Sequence, residues 1–148
     1  MWVPKFLRDR KRVILDRQSK DPYLVRYYIF LKERKWFPFN IFVHKFLMSD
    51  PADLHDHPWP YATLILKGGY YEWTPVYDRD GRKITEVSKW CGPGSFRIRS
   101  ANSLHRIELD PDVTAWTLFM PGPQQREWGF ATRKGWVKHK NYIQERSS

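Results

Sequence analysis

Along this chain apolar and polar residues alternate in short runs, and Gly, Pro, Asn or Asp interrupts each run before a long helical period can build up. A side-chain period of two over a few residues, bounded by turn formers, is the signature of a strand. Residues 23–31 are dense in aromatic and β-branched side chains and read as one strand, followed by a charged turn at 32–35. The next strand spans 39–48 and puts Phe42, His44, Phe46 and Met48 on one face. A loop at 49–54 carries Pro51, Asp50 and Asp53. The pattern then predicts strands over 62–66 and 70–73 around a Gly68-Gly69 turn, and over 84–90 after the turn residues Asp78, Asp80 and Gly81. Gly92-Pro93-Gly94 leads into 95–99, where Phe96 and Ile98 alternate with Arg97 and Arg99. Strands over 104–109 and 113–120 are split by Asp110-Pro111-Asp112. Pro121-Gly122-Pro123 ends that run, short aromatic segments follow at 128–132 and 136–139, and the tail 140–148 is polar. Many short strands with no repeat or linker predict one all-β domain over 1–148.

Composition and charge narrow the partners. The 148 residues suffice for a single domain with a real core. The formal net charge is +10, from 26 basic and 16 acidic residues. Such a surface favours an anionic partner, whether a phosphorylated metabolite, a nucleotide, nucleic acid or an anionic membrane, or else serves solubility alone. Residues 1–20 are rich in Lys and Arg around the apolar pairs Phe6-Leu7 and Val13-Ile14. They read as a basic arm that packs across the strands or pairs with a partner subunit. Stacking aromatics are sparse there, which makes nucleic acid the less favoured use. The only cysteine, Cys91, forbids an internal disulfide and fits a reducing cytoplasm. It reads as a small packed residue. The first residues hold no continuous apolar signal segment, and no apolar stretch reaches transmembrane length, so no membrane partner is expected.

The chemistry concentrates between residues 54 and 72. His55 and His57 are one residue apart, so from a single strand edge both rings point the same way. His105 lies on the later strand segment 104–109. Neutral imidazole suits Zn, Fe, Ni and Cu, and three of them leave positions open for water, dioxygen or substrate. Any one of these histidines alone would read as a core or loop-edge residue. Asp53 and Asp56 flank the pair as solvated turn residues or outer partners of the ligands.

The spacing around these histidines resembles that of the cupins. Their first motif, G-x5-H-x-H-x3,4-E-x6-G, matches at His55, His57 and Gly68, with Ser49 at the leading glycine and Tyr61 at the glutamate. The second, G-x5-P-x-G-x2-H-x3-N, matches at Gly94 and His105. There Ser100 stands at the proline, Asn102 at the second glycine, where Asn imitates glycine in a left-handed turn, and Leu109 at the asparagine. The His-Asp-His-Pro-Trp stretch is similar to one in small bacterial and phage cupin-like proteins. The resemblance implies an all-β cupin fold, a double-stranded β-helix or jelly-roll barrel with an N-terminal basic arm, and a metal held by His55, His57 and His105. It implies a homodimer built on N-terminal edge strands, here 23–31 and 39–48.

The three-histidine arrangement resembles that of thiol dioxygenases, in which Fe(II) binds substrate and dioxygen together. The leading expectation is thus a metal-dependent, dioxygenase-like oxidoreductase acting on a small anionic ligand, with Fe(II) first and Zn, Ni or Mn as alternatives. Two other functions stay open. One is a sugar or nucleotide-sugar isomerase or epimerase using a His and Tyr pair for proton transfer. The other is a cupin that binds a ligand or nucleic acid without turnover. Candidate catalytic residues are Tyr61, which orients a ligand by its hydroxyl or simply packs, and His44, a pocket residue, proton carrier or buried core histidine. Glu72 is the third, an acid or base or else a surface carboxylate. Candidate substrate contacts are Trp59, Tyr71 and Trp73 as aromatic cover, and Arg97 and Arg99 as anion clamps or a solvated face.

Overall fold

A computed structural model describes residues 3–16, 19–29 and 39–142. A one-turn helix α1 (Lys5–Arg8) precedes strands β1 (Lys11–Leu15), β2 (Pro22–Tyr28), β3 (Phe42–Phe46), β4 (Leu54–His55), β5 (Tyr61–Lys67) and β6 (Tyr70–Tyr77). The chain continues through β7 (Lys83–Cys91), β8 (Phe96–Arg99), β9 (Arg106–Glu108), β10 (Ala115–Pro121), β11 (Gly129–Thr132) and β12 (Gly135–Lys138). The expected all-β pattern is thus present. The segment 30–38, including the charged turn at 32–35 and Leu31, lies outside the described residues, as does 143–148 of the tail.

The strands make three sheets rather than one closed barrel. The largest runs β1-β2-β3-β10-β5-β8, and two three-stranded sheets run β7-β6-β9 and β12-β11-β4. The small sheets are stitched together by an isolated antiparallel bridge between His55 and His105. Each of the two backbones donates to the other, at 2.9 and 3.0 Å. The main core cluster lies between these layers. Leu24, Phe46, Ile65 and Ala115 come from the large sheet, Tyr70, Cys91 and Ile107 from the facing one, and Leu109 from just beyond β9. Burying side chains of this size stabilises the fold by about 1.5–3 kcal/mol each.

Alternation decides what faces inward. On β5, Tyr61, Thr63 and Ile65 are buried, while Ala62 and Leu64 are half-buried on the other face. On β6 the inward residues are Tyr70 and Glu72. The turn between these strands requires glycine. Gly68 has φ +77°, and a Cβ there would lie 2.2 Å from the Thr114 carbonyl oxygen. By contrast, Asn102 is not left-handed: the only non-glycine residues of positive φ among those described are Lys20 and Asp112. The Asn102 side chain instead accepts from Ser100 Oγ at 2.7 Å.

The N-terminal segment is part of the fold rather than a free arm. β1 pairs along β2, and Val3 and Leu7 pack on the buried cluster of Tyr27, Val43 and Trp116. One consequence corrects the expectation about edges. β2 lies between β1 and β3, and β3 lies between β2 and β10, so neither is exposed as an edge; among the described residues the edges of this sheet are β1 and β8. No helix among the described residues is long and apolar enough to cross a membrane.

Candidate metal centre

His55, His57 and His105 are brought together by backbone hydrogen bonds across distant segments. β4 ends at His55, which pairs with Phe130 of β11 on one side and with His105 on the other. His57 therefore does not share a strand with His55. Its N–H donates to the Ala101 carbonyl at 3.0 Å, beyond the strand end. His105 likewise precedes β9 rather than lying within it. The intervening Asp56 is a buried anchor and not a solvated turn residue. Its carboxylate accepts from Gly129 N–H at 2.8 Å and Trp136 Nε1 at 2.9 Å, and pairs with Arg126 at 3.0 Å. Asp53 is occupied by the Tyr142 hydroxyl at 2.9 Å.

The three rings form a near-equilateral triangle. Their centroids are 5.1 Å apart for His55 and His57, 4.8 Å for His55 and His105, and 4.9 Å for His57 and His105. One ring nitrogen from each lies within 4.8 Å of the others. Burial holds His57 well below its usual pKa and holds His55 at about 4. The neighbouring histidines add to both effects, and Asp50 partly opposes the one on His55. Both rings are therefore neutral at physiological pH and keep lone pairs for a metal.

Two further observations fit a metal ion. The buried Nδ1 atoms of His55 and His57 have no hydrogen-bond partner, a cost that ligation would remove. The Nδ1 of His105, 2.9 Å from Glu72 Oε2, must carry the proton because a carboxylate only accepts. That leaves Nε2 with its lone pair, the arrangement by which a carboxylate orients a ligating histidine. Burial pushes the Glu72 carboxyl up, but hydrogen bonds and charges from His105 and Arg99 outweigh it and hold the group at about 2.

The histidines open into a cavity of about 540 Å3 between the layers. Tyr61, His44 and Trp59 line it. The Tyr61 hydroxyl is 3.4 Å from both His105 ring nitrogens, too long for a strong bond to either. Its burial, with the charge of Glu72, raises its pKa well above 10, so it keeps its proton as a donor.

Five other candidates do not reach the cavity. Glu72 is buried beneath His105 and Arg99, with Arg99 at 2.5 Å, and is not placed as an acid or base for a ligand. Arg99 is committed to that pair, and Arg97 reaches the Cys91 sulfur at 3.7 Å. Tyr71 and Trp73 lie on the opposite face of β6, where Tyr71 packs on Trp90 and Trp73 lies under the Arg106 guanidinium. The inward parity of β6 belongs to Tyr70 and Glu72, and a shift of one residue inverts every assignment.

Sequence reasoning missed Arg26, Thr117, Phe119 and Phe130 among the lining residues. Arg26 did leave a signal. It alternates with Leu24 and Tyr28, a cation on an otherwise apolar strand face. The others look like ordinary core positions.

No protein-family model matches the chain, and no curated protein matches it. Solved structures do. The chain is similar to the polyketide cyclase RemF from Streptomyces resistomycificus, with 14% identity, a TM-score of 0.62, and 89% of this chain and 87% of that one covered. It is similar to a cupin-2 domain protein from Rhodospirillum rubrum at 12% identity and TM-score 0.62, covering 84% of this chain and 76% of that one. A third likeness is to Fe(II)-HppE with the alternative substrate (S)-1-HPP, at 13% identity and TM-score 0.54 over 76% of this chain. Here the chain spans only 56% of the other protein's length. Identities this low speak for the fold and not for the substrate. The chain has an all-β, multi-sheet, jelly-roll-like fold related to that of the cupins, and it carries a cluster of three histidines, His105 buried and His55 and His57 half-buried, fit to hold a metal ion.

Proposed function

We propose that this chain is a metal-dependent enzyme of dioxygenase type that acts on a small anionic molecule, with His55, His57 and His105 holding Fe(II). One observation carries the reading: three imidazoles converge, with nitrogens within 4.8 Å of one another, on the wall of a cavity large enough for a metabolite. A bound divalent iron supplies open coordination positions and the redox capacity that dioxygen chemistry needs. Imidazoles bring no negative charge, so the centre keeps the full charge of its ion and favours an anionic ligand group. Tyr61, with its proton retained, donates to a ligand oxygen next to the histidines. Trp59, Phe119 and Phe130 shield the site from water and cover apolar parts of the ligand. The Fe(II) likeness named above supports this reading.

The polyketide cyclase likeness supports a second reading, in which the same centre acts without dioxygen. An oxygen electrode separates the two. Protein reconstituted anaerobically with Fe(II) and mixed with a panel of small thiols, carboxylates and phosphonates should consume dioxygen with at least one of them. His105→Ala should abolish that uptake. Metal-dependent conversion of a panel member without oxygen uptake would favour the second reading. Protein that takes up no metal at all would overturn both.

A further inference from the structure

One row of the large sheet stands apart from the histidine cluster. In register, Arg12 of β1 faces Arg26 of β2, Arg26 faces His44 of β3, and His44 faces Thr117 of β10. All four line the cavity. His44 is 4% exposed and Thr117 is 1% exposed. Both nonetheless carry a buried polar atom with no partner, His44 Nδ1 and Thr117 Oγ1. A buried polar group without a partner is costly, and two side by side on one cavity wall are a place for a ligand to satisfy them.

The chemistry of that wall follows from Arg26. Its Nε–H can only donate, and it lies 3.0 Å from His44 Nε2, so Nε2 is the acceptor. Burial and the Arg26 charge keep His44 well below its usual pKa, and the ring is neutral. The proton is therefore on Nδ1, which is the unpartnered atom. The ring is fixed by stacking on Phe42 and Phe119, with centroids at 5.7 and 4.9 Å. His44 thus presents one N–H donor, Thr117 adds a hydroxyl, and the Arg26 charge lies directly behind. Such a set recognises an acceptor oxygen, and an anionic one best. Phe119 and Tyr61 are stacked at 5.1 Å and lie between this wall and His57, itself 4.4 Å from Tyr61. The wall and the metal centre are therefore two ends of one cavity.

We propose that His44 and Thr117 form a second anchoring subsite, which takes a carboxylate of a ligand whose other end extends to the three-histidine cluster. The substrate class is then a compound with two acceptor groups, such as a dicarboxylate or an acid with a second carbonyl oxygen, and not a simple monoanion. The subsite deepens the reading of the cavity as a substrate site, on which it rests. His44 is a positioning donor here and not a proton carrier.

Calorimetry with acetate, malonate, succinate and glutarate tests this on the zinc-loaded protein. At least one dicarboxylate should bind about tenfold or more tightly than acetate. His44→Phe and Thr117→Val should each remove that advantage. Thr117→Val keeps side-chain shape and removes only the unpartnered hydroxyl, so its free protein should unfold at the same denaturant concentration as wild type or a higher one, whereas His44→Phe also removes the acceptor of Arg26 Nε–H and should unfold at a lower one. No dicarboxylate advantage in wild type, an advantage retained in both variants, or a clear drop in the Thr117→Val unfolding midpoint overturns the subsite. Nitrogen NMR of labelled histidines in the metal-free protein gives an independent answer. The His44 proton should reside on Nδ1, and its resonance should move when the best dicarboxylate is added. A proton on Nε2, or a resonance indifferent to the dicarboxylate, overturns the proposal. A His44 response in protein that binds no zinc supports the subsite and removes only the metal reading.

Discussion

Replacing Glu72 by Gln isolates the contact that sets the third metal ligand. The carboxylate is 3% exposed and receives two donors, Arg99 at 2.5 Å and His105 Nδ1 at 2.9 Å. Gln keeps the volume but offers a single oxygen. Turned toward His105, that oxygen leaves an NH2 against the guanidinium. Turned toward Arg99, it leaves an NH2 against Nδ1–H, and the imidazole relieves the clash only by moving its proton to Nε2, the nitrogen meant for the metal. Either way one charge-assisted hydrogen bond, worth about 1.5–3 kcal/mol, becomes a donor–donor contact. The Arg99 side chain is 29% exposed, so water recovers part of its loss. The metal-free variant should therefore be less stable by about 2 kcal/mol. Its metal affinity should fall roughly 10–100-fold, as for other carboxylates that orient a ligating histidine. Urea unfolding of chelator-treated protein reads the first quantity, and competition for Zn2+ with a chromophoric chelator reads the second. Arg99→Met is the control: it removes the ion pair, keeps the Glu72–His105 bond, and should cost stability with little change in metal affinity. Wild-type metal affinity in Glu72→Gln would refute the role given to this carboxylate. An equal loss of affinity in Arg99→Met would assign the effect to a general loosening of the site.

Four more outcomes are expected. Alanine at His55, His57 or His105 should sharply reduce metal content after dialysis against a chelator, while circular dichroism stays unchanged because the bridge between His55 and His105 is made by backbone atoms; stoichiometric metal in the triple variant would remove the centre. Tyr61→Phe should weaken binding of a small anion to the metal-loaded protein by about 1 kcal/mol, the worth of one hydrogen bond, and equal calorimetric affinity would place the anion elsewhere. Gly68→Ala should lower stability in urea by about 2 kcal/mol or more, because a left-handed φ and a backbone collision act together; an unchanged midpoint would show that the turn can shift. Among the described residues β1 has a strand on one side only and exposes Val13 and Leu15, so we expect a homodimer paired along β1, with light scattering giving twice the chain mass at micromolar concentration. A monomer mass there would count against it.

The sequence alone determined what is local. A period of two marked the strands, Gly68-Gly69 marked a turn that only glycine can make, and the spacing of His55, His57 and His105 pointed to one centre. The strands and the turn are written within a few residues or in a pattern that repeats along the chain, and the histidines in two short motifs at a fixed spacing. Facing and pairing were decided elsewhere. Whether β6 turns Tyr71 and Trp73 or Tyr70 and Glu72 to the inside depends on a single residue of register, which packing of the layers selects. The partners of His105 and Asp56 lie 33 and 73 residues away in sequence, at Glu72 and Gly129. The row joining Arg12, Arg26, His44 and Thr117 exists only because four strands align in one register. Contacts of this kind are fixed by the free energy of burying whole sheet faces against each other, and no short stretch of chain encodes that.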